Sequence, residues 1–200
     1  MAILDSRVIH NIIDDLPKGN CESDVRDVNK DVNSIVVHQT DMVCNGDQQA
    51  WDVAELHTSP PRNWCGIGYH LLLTETGKIL QTRNLKHRSA HAGNANDYSI
   101  GVVICGVHRK SDGDTNEEII GRKQYKSLVW LLAHLQNKYP NIDNILAHAD
   151  VSSKSCPNLH MDELKNDVKK KRFQIVIVNW VFFAFLAYFI VNLGRRLLYY

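Results

Sequence analysis

Apolar positions along this chain come in short, dense runs separated by polar stretches, and their period changes from run to run. Ser34 to Thr40, SIVVHQT, is a β-branched run of strand length and predicts a buried strand. Ser99 to Gly106, SIGVVICG, is apolar at odd and even positions alike, as a central strand is. Between them GYHLLLTETGKILQT predicts a hairpin with strands at about Tyr69–Leu73 and Lys78–Thr82, turning at Glu75-Thr76-Gly77. NILAHAD predicts a last short strand, ending at His148. Helical periodicity is present in Gly46 to His57, with Ala50, Trp51, Ala54 and Leu56 as the apolar side. It is clearest in Gly121 to Tyr139, where Tyr125, Leu128, Val129, Leu132 and Leu135 share one stripe and Pro140 follows. Strands interleaved with helices, plus one hairpin, predict an α/β domain with a central mixed β-sheet flanked by helices.

The ends of the chain break this pattern. Residues 1–33 are polar with small apolar clusters and predict a lead-in segment; Asp14 and Asp15 interrupt it, unlike a secretory signal. Phe173 to Leu193, FQIVIVNWVFFAFLAYFIVNL, contains no charged residue. As a helix it would span roughly 30 Å, the thickness of a bilayer's hydrocarbon core. Lys169 to Arg172 precede it and Arg195 and Arg196 follow. A core helix of this length would show a polar stripe, so the run predicts a single membrane-spanning helix. The expected organisation is a lead-in at 1–33, a domain at 34–164, a basic linker at 165–172, a span at 173–193 and a tail at 194–200. Lys165 with Lys169 to Arg172 outnumber the basic residues beyond the span, which by the positive-inside rule places the domain in the cytoplasm.

Composition narrows the function classes. A net charge of +1 over 200 residues offers no global field for nucleic acid. Five cysteines (Cys21, Cys44, Cys65, Cys105 and Cys156) are an odd number and do not suggest a disulfide framework, although a Cys44–Cys65 bridge is conceivable.

Chemistry gathers at predicted strand ends. His38 ends the first predicted strand, His148 the last, and Cys156 lies in the loop that follows. Two imidazoles and a thiolate form a three-ligand set for one zinc ion that leaves the fourth tetrahedral position open to water, the mark of a catalytic rather than a structural site. Each residue alone is weak: the chain has ten histidines. Their coincidence with a Cys-Pro and a Tyr-His on a third strand is stronger.

SIVVHQT, GIGYHLLLTETGKI, SAHAG with SIGVVICG, and AHADVSSKSCP occur in an order and spacing that resemble the type 2 N-acetylmuramoyl-L-alanine amidases, the family of bacteriophage T7 lysozyme, related to the peptidoglycan recognition proteins. The resemblance covers roughly Ser34 to Leu164. It implies His38, His148 and Cys156 as zinc ligands, Tyr69 beside the attacking water, Lys154 as a catalytic lysine, and His91 as a histidine lining the substrate cleft. It implies hydrolysis of the amide between the lactyl group of N-acetylmuramic acid and L-alanine in peptidoglycan; the catalytic domain is expected to be monomeric. One departure is Tyr98, where many members carry Asn before Ser-Ile-Gly. With the apolar tail, the expectation is a phage endolysin or bacterial lytic enzyme anchored in a lipid bilayer, for a phage protein the host inner membrane. The alternatives are a non-catalytic, membrane-tethered peptidoglycan recognition module, and a structural zinc site in an adaptor, which would need a fourth ligand such as His91.

Overall fold

The computed structural model describes residues 7–178. Its centre is a six-stranded sheet built from β1 (Ile9–Asn11), β2 (Ser34–Gln39), β3 (Leu71–Leu73), β4 (Ile79–Gln81), β5 (Ser99–Ile104) and β6 (Asn144–Ala147), in the spatial order β1-β4-β3-β5-β2-β6. Strands β3, β5, β2 and β6 run parallel; β4 is antiparallel to β3, and β1 is parallel to β4. The sheet is mixed, as the sequence predicts. Its hairpin turns at Gly77, whose φ of 82° suits a residue without a Cβ.

Alternation along the strands assigns two cores. Ile35 and Val37 of β2, Leu71 and Leu73 of β3 and Ile100, Val102 and Ile104 of β5 face α4 (Arg122–Lys138). Leu72, Leu80 and Val103 face the other way, onto Ala50, Val53 and Ala54 of α2 (Gln48–Thr58). The apolar side of α2 is thus rotated from the predicted one. Val53 is buried, whereas Leu56 is 44% exposed.

Short helical turns complete the frame: α1 (Val28–Asp31), capped by the Asp27 carboxylate, α3 (Asn116–Ile120), with a Thr115/Glu118 capping box, and α5 (His148–Val151). A further helix, α6, occupies residues 161–178. Its Leu164 and Val168 are buried in the α4-side core, and the Tyr125 hydroxyl donates to the Asp167 carboxylate at 2.9 Å. With α6 in the same cluster, α4 is buried through most of its circumference between Ser127 and Ala133, not only along its predicted stripe.

Three expectations change. The lead-in carries β1, which pairs with β4 at the sheet edge. The boundary at Leu164 falls inside α6. The cysteines pair as Cys21–Cys65 and Cys44–Cys105, leaving only Cys156 free, so the chain does carry a disulfide framework and no Cys44–Cys65 bridge. The odd cysteine had hidden four paired ones. The apolar run at 173–193 lies mostly outside the described residues, within which no helix is long and apolar enough to cross a membrane.

Candidate metal centre

The site lies at the carboxyl ends of the parallel strands, where open α/β sheets bind ligands. His38 is the penultimate residue of β2, on the face opposite Val37 and away from α4. Beside it, β6 stops at Ala147 and His148 is the first residue of α5 rather than the end of the strand. The Asp150 carboxylate accepts the Ala147 amide and fixes this turn. The chain then folds back: Ser152 Oγ donates to the His148 carbonyl, Lys154 N donates to Ser152 Oγ, and Ala149 N donates to the Cys156 carbonyl. This doubling brings Cys156 against β2, where its sulfur accepts the Gln39 amide at 3.1 Å.

The result is the predicted triad. Donor atoms of His38, His148 and Cys156 lie within 4.8 Å of one another. The rings of His38 and His148 are 4.4 Å apart, centre to centre. His38 is buried, and burial together with its histidine neighbours holds its pKa well below the usual imidazole value. Burial and the nearby Lys154 ammonium lower that of His148. Both rings are therefore neutral at pH 7, the form that binds metal. Burial pushes the Cys156 thiol up to about 11, so the sulfur keeps its proton until a cation replaces it. Two neutral nitrogens and a sulfur that ionises on binding suit zinc.

Tyr69 packs its ring 5.1 Å from that of His38. Burial, reinforced by Cys156, raises its hydroxyl to about 12. It is a phenol and a donor at neutral pH, not a base. Lys154 is exposed at the rim of the site. His70 is fully buried; its Nδ1 accepts the Gly101 amide and its Nε2 meets the His87 carbonyl, each at 2.9 Å, so it turns away from the triad as strand alternation requires. His91 is 8% exposed, and its Nδ1 lies 2.9 Å from His38 Nε2. That places it behind His38 instead of along an open cleft. Among the described residues it joins no four-ligand set.

Sequence reasoning missed His57, whose Nδ1 accepts the Gly68 amide at 3.0 Å and whose ring packs between Trp64 and Tyr69. It holds the backbone next to the tyrosine. A buried histidine on an amphipathic helix gives no signal of that role.

A neutral N,N,S donor set at the ends of parallel strands, with a phenol beside it and an ammonium at its rim, makes this a mixed α/β domain whose site could hold one metal ion. Comparison places it further. The family profile of N-acetylmuramoyl-L-alanine amidases matches residues 28–159, and the chain belongs to that family. The endolysin of Enterobacteria phage K11 is 25% identical over 133 residues, covering 66% of this chain and 84% of the endolysin. The solved structure of the N-acetylmuramoyl-L-alanine amidase LysC from Clostridium intestinale superposes with a TM-score of 0.62 at 27% identity, over 82% of this chain and 99% of LysC. Drosophila peptidoglycan recognition protein SD shares the fold, with a TM-score of 0.64 at 21% identity over 78% of this chain and 92% of that one. The chain is an enzyme with N-acetylmuramoyl-L-alanine amidase activity.

Proposed function

We propose that the chain is a zinc-dependent amidase that cleaves the lactyl–L-alanine bond of peptidoglycan, in the manner of an endolysin or cell-wall lytic enzyme, and that its C-terminal run anchors it to a membrane. The observation that carries the zinc reading is the convergence of His38, His148 and Cys156, from two strand ends and a returning loop, on one point. Zinc held there would polarise the scissile carbonyl and activate the attacking water. The chain's own residues supply the rest. The Tyr69 hydroxyl, kept protonated by burial, donates a hydrogen bond toward the reacting oxygen. The Lys154 ammonium adds positive charge where negative charge develops on the carbonyl oxygen. Presence of the cysteine donor, the tyrosine and the lysine together favours an enzyme over a pure recognition module.

Support for an anchor comes from α6, which leaves the domain with Phe173, Val176 and Ile177 exposed at 68%, 43% and 45% and leads directly into the uncharged run. Two disulfides favour a domain that faces an oxidising compartment, against the orientation expected from the basic linker.

The test is to incubate the full chain in detergent with purified peptidoglycan and count new L-alanine amino termini, with chelator and after zinc is restored. Termini that vanish with chelator and return with zinc uphold the reading. Zinc-loaded protein that binds peptidoglycan without releasing termini would sink it. Resistance of the chain to alkaline extraction from membranes, lost when residues after 178 are removed, tests the anchor.

A further inference from the structure

His38 presents two ring nitrogens, and only one can face a metal. What the other meets decides which. His38 Nε2 lies 2.9 Å from His91 Nδ1. His91 Nε2 in turn lies 3.4 Å from Ser99 Oγ. The Ser99 hydroxyl has one proton, and it is committed to the Ala95 carbonyl at 2.5 Å. Toward His91 the hydroxyl can therefore only accept. His91 thus carries its proton on Nε2 and keeps a lone pair on Nδ1. The bond to His38 then runs one way: His38 Nε2–H donates and His91 Nδ1 accepts. His38 is left with its lone pair on Nδ1.

The surroundings hold His91 to this task. Asn96 Oδ1 accepts the amides of both His91 and Ala92, at 2.9 and 2.7 Å, which fixes the backbone beneath the ring. Gly101 on β5 makes room for it, since a Cβ there would come within 2.8 Å of the imidazole. A histidine this enclosed has little surface to offer a substrate.

We propose that His91 is a positioning residue, anchored by Ser99 and clamped by Asn96, that locks His38 in the Nε2–H tautomer and so presents His38 Nδ1 as the metal donor. The inference rests on the zinc reading for its consequence, but the tautomer itself exists without metal.

The experiment uses the full chain in detergent and has two readouts. Long-range proton–nitrogen correlation on histidine-labelled, metal-free protein reports the His38 tautomer; Nε2–H is expected, and Nδ1–H overturns the proposal. Competition with a chelating dye gives the zinc dissociation constant. His91→Ala is expected to weaken zinc by roughly 10- to 100-fold. His91→Asn, whose side-chain oxygen can occupy the place of Nδ1 and accept from His38, is expected to recover most of that loss. Unchanged zinc affinity in His91→Ala, with only the KM for peptidoglycan raised, would make His91 a cleft contact and overturn the proposal. If His91→Ala does not fold, the wild-type tautomer and the Asn variant still decide it. Wild-type protein that takes up no zinc would defeat the functional reading, while the metal-free spectrum would still judge the relay.

Discussion

Of the three candidate ligands, Cys156 is the one whose metal-binding state its surroundings oppose most. Burial favours the thiol over the thiolate, so binding must displace a proton. A serine hydroxyl at the same place would need a far larger cost to ionise and is a poor zinc donor. Cys156→Ser should therefore lose bound zinc and amidase turnover together, measured by metal analysis and by release of L-alanine termini; a zinc-loaded, active serine variant would remove Cys156 from the site. Lys154 behaves differently. It is exposed, and in the proposed role it would act through charge, so Lys154→Ala should keep zinc and lower kcat by on the order of 10²-fold. An unchanged kcat would reduce it to a solvated loop lysine. That His38, His148 and Cys156 could meet was legible in the sequence, because metal chemistry restricts which side chains can serve and all three fall at or just after strand ends. The bond between His91 and His38 was not, because it depends on how two rings turn toward each other across fifty-three positions of sequence.

Elements with a strong apolar period were legible, and those held by a few contacts were not. The predicted strands at Ser34 and Ser99, the hairpin and the long helix all exist within a residue or two of their expected bounds. Strand β1 is three residues, mostly exposed, and its sequence IHN carries no alternation to read. Helix α6 hides its apolar contacts, Leu164 and Val168, one turn apart in a run dominated by charge, so its beginning looked like a linker. The consequence is measurable. A chain ended at 164 loses the burial of Val168, the packing of Ile175 and the Tyr125–Asp167 bond, and should be destabilised by at least about 2 kcal/mol relative to one ended at 178. Equal urea midpoints for the two would show that α6 adds nothing to the domain. The disulfides were equally invisible, because pairing is a matter of spatial approach: Cys44 and Cys105 are 61 positions apart, yet their Cα atoms are 5.6 Å apart. That bridge ties the loop after β2 to the end of β5, next to the strand that carries His38. Replacing both cysteines by serine should cost about 2–4 kcal/mol by denaturant unfolding under oxidising conditions, and no change would make the bridge incidental to the fold.

At the scale of the whole molecule, the domain folds around neutral histidines, and this sets its response to acid. His38, His57, His70 and His91 are all buried, and burial lowers the pKa of each. His57 is the cleanest case because it lies outside the candidate metal triad; its pKa falls from 6.5 to about 4. The unfolded chain takes up a proton at His57 near pH 6.5 and the folded chain resists it until about pH 4, so between those values the unfolded state binds more protons. Stability must then rise with pH across that window, and be lost as pH falls through it. His57 alone accounts for about 3 kcal/mol of that loss, and His70, fully buried beside the Arg26 guanidinium, adds to it in the same direction. Urea unfolding of chelated protein at pH 7, 5.5 and 4 should show a steep fall, with metal binding removed from the comparison. His57→Asn can still accept the Gly68 amide but cannot be protonated, so its stability should fall less over the same range. If the variant and wild type lose stability in parallel, His57 is not among the groups that acid must protonate to unfold the domain.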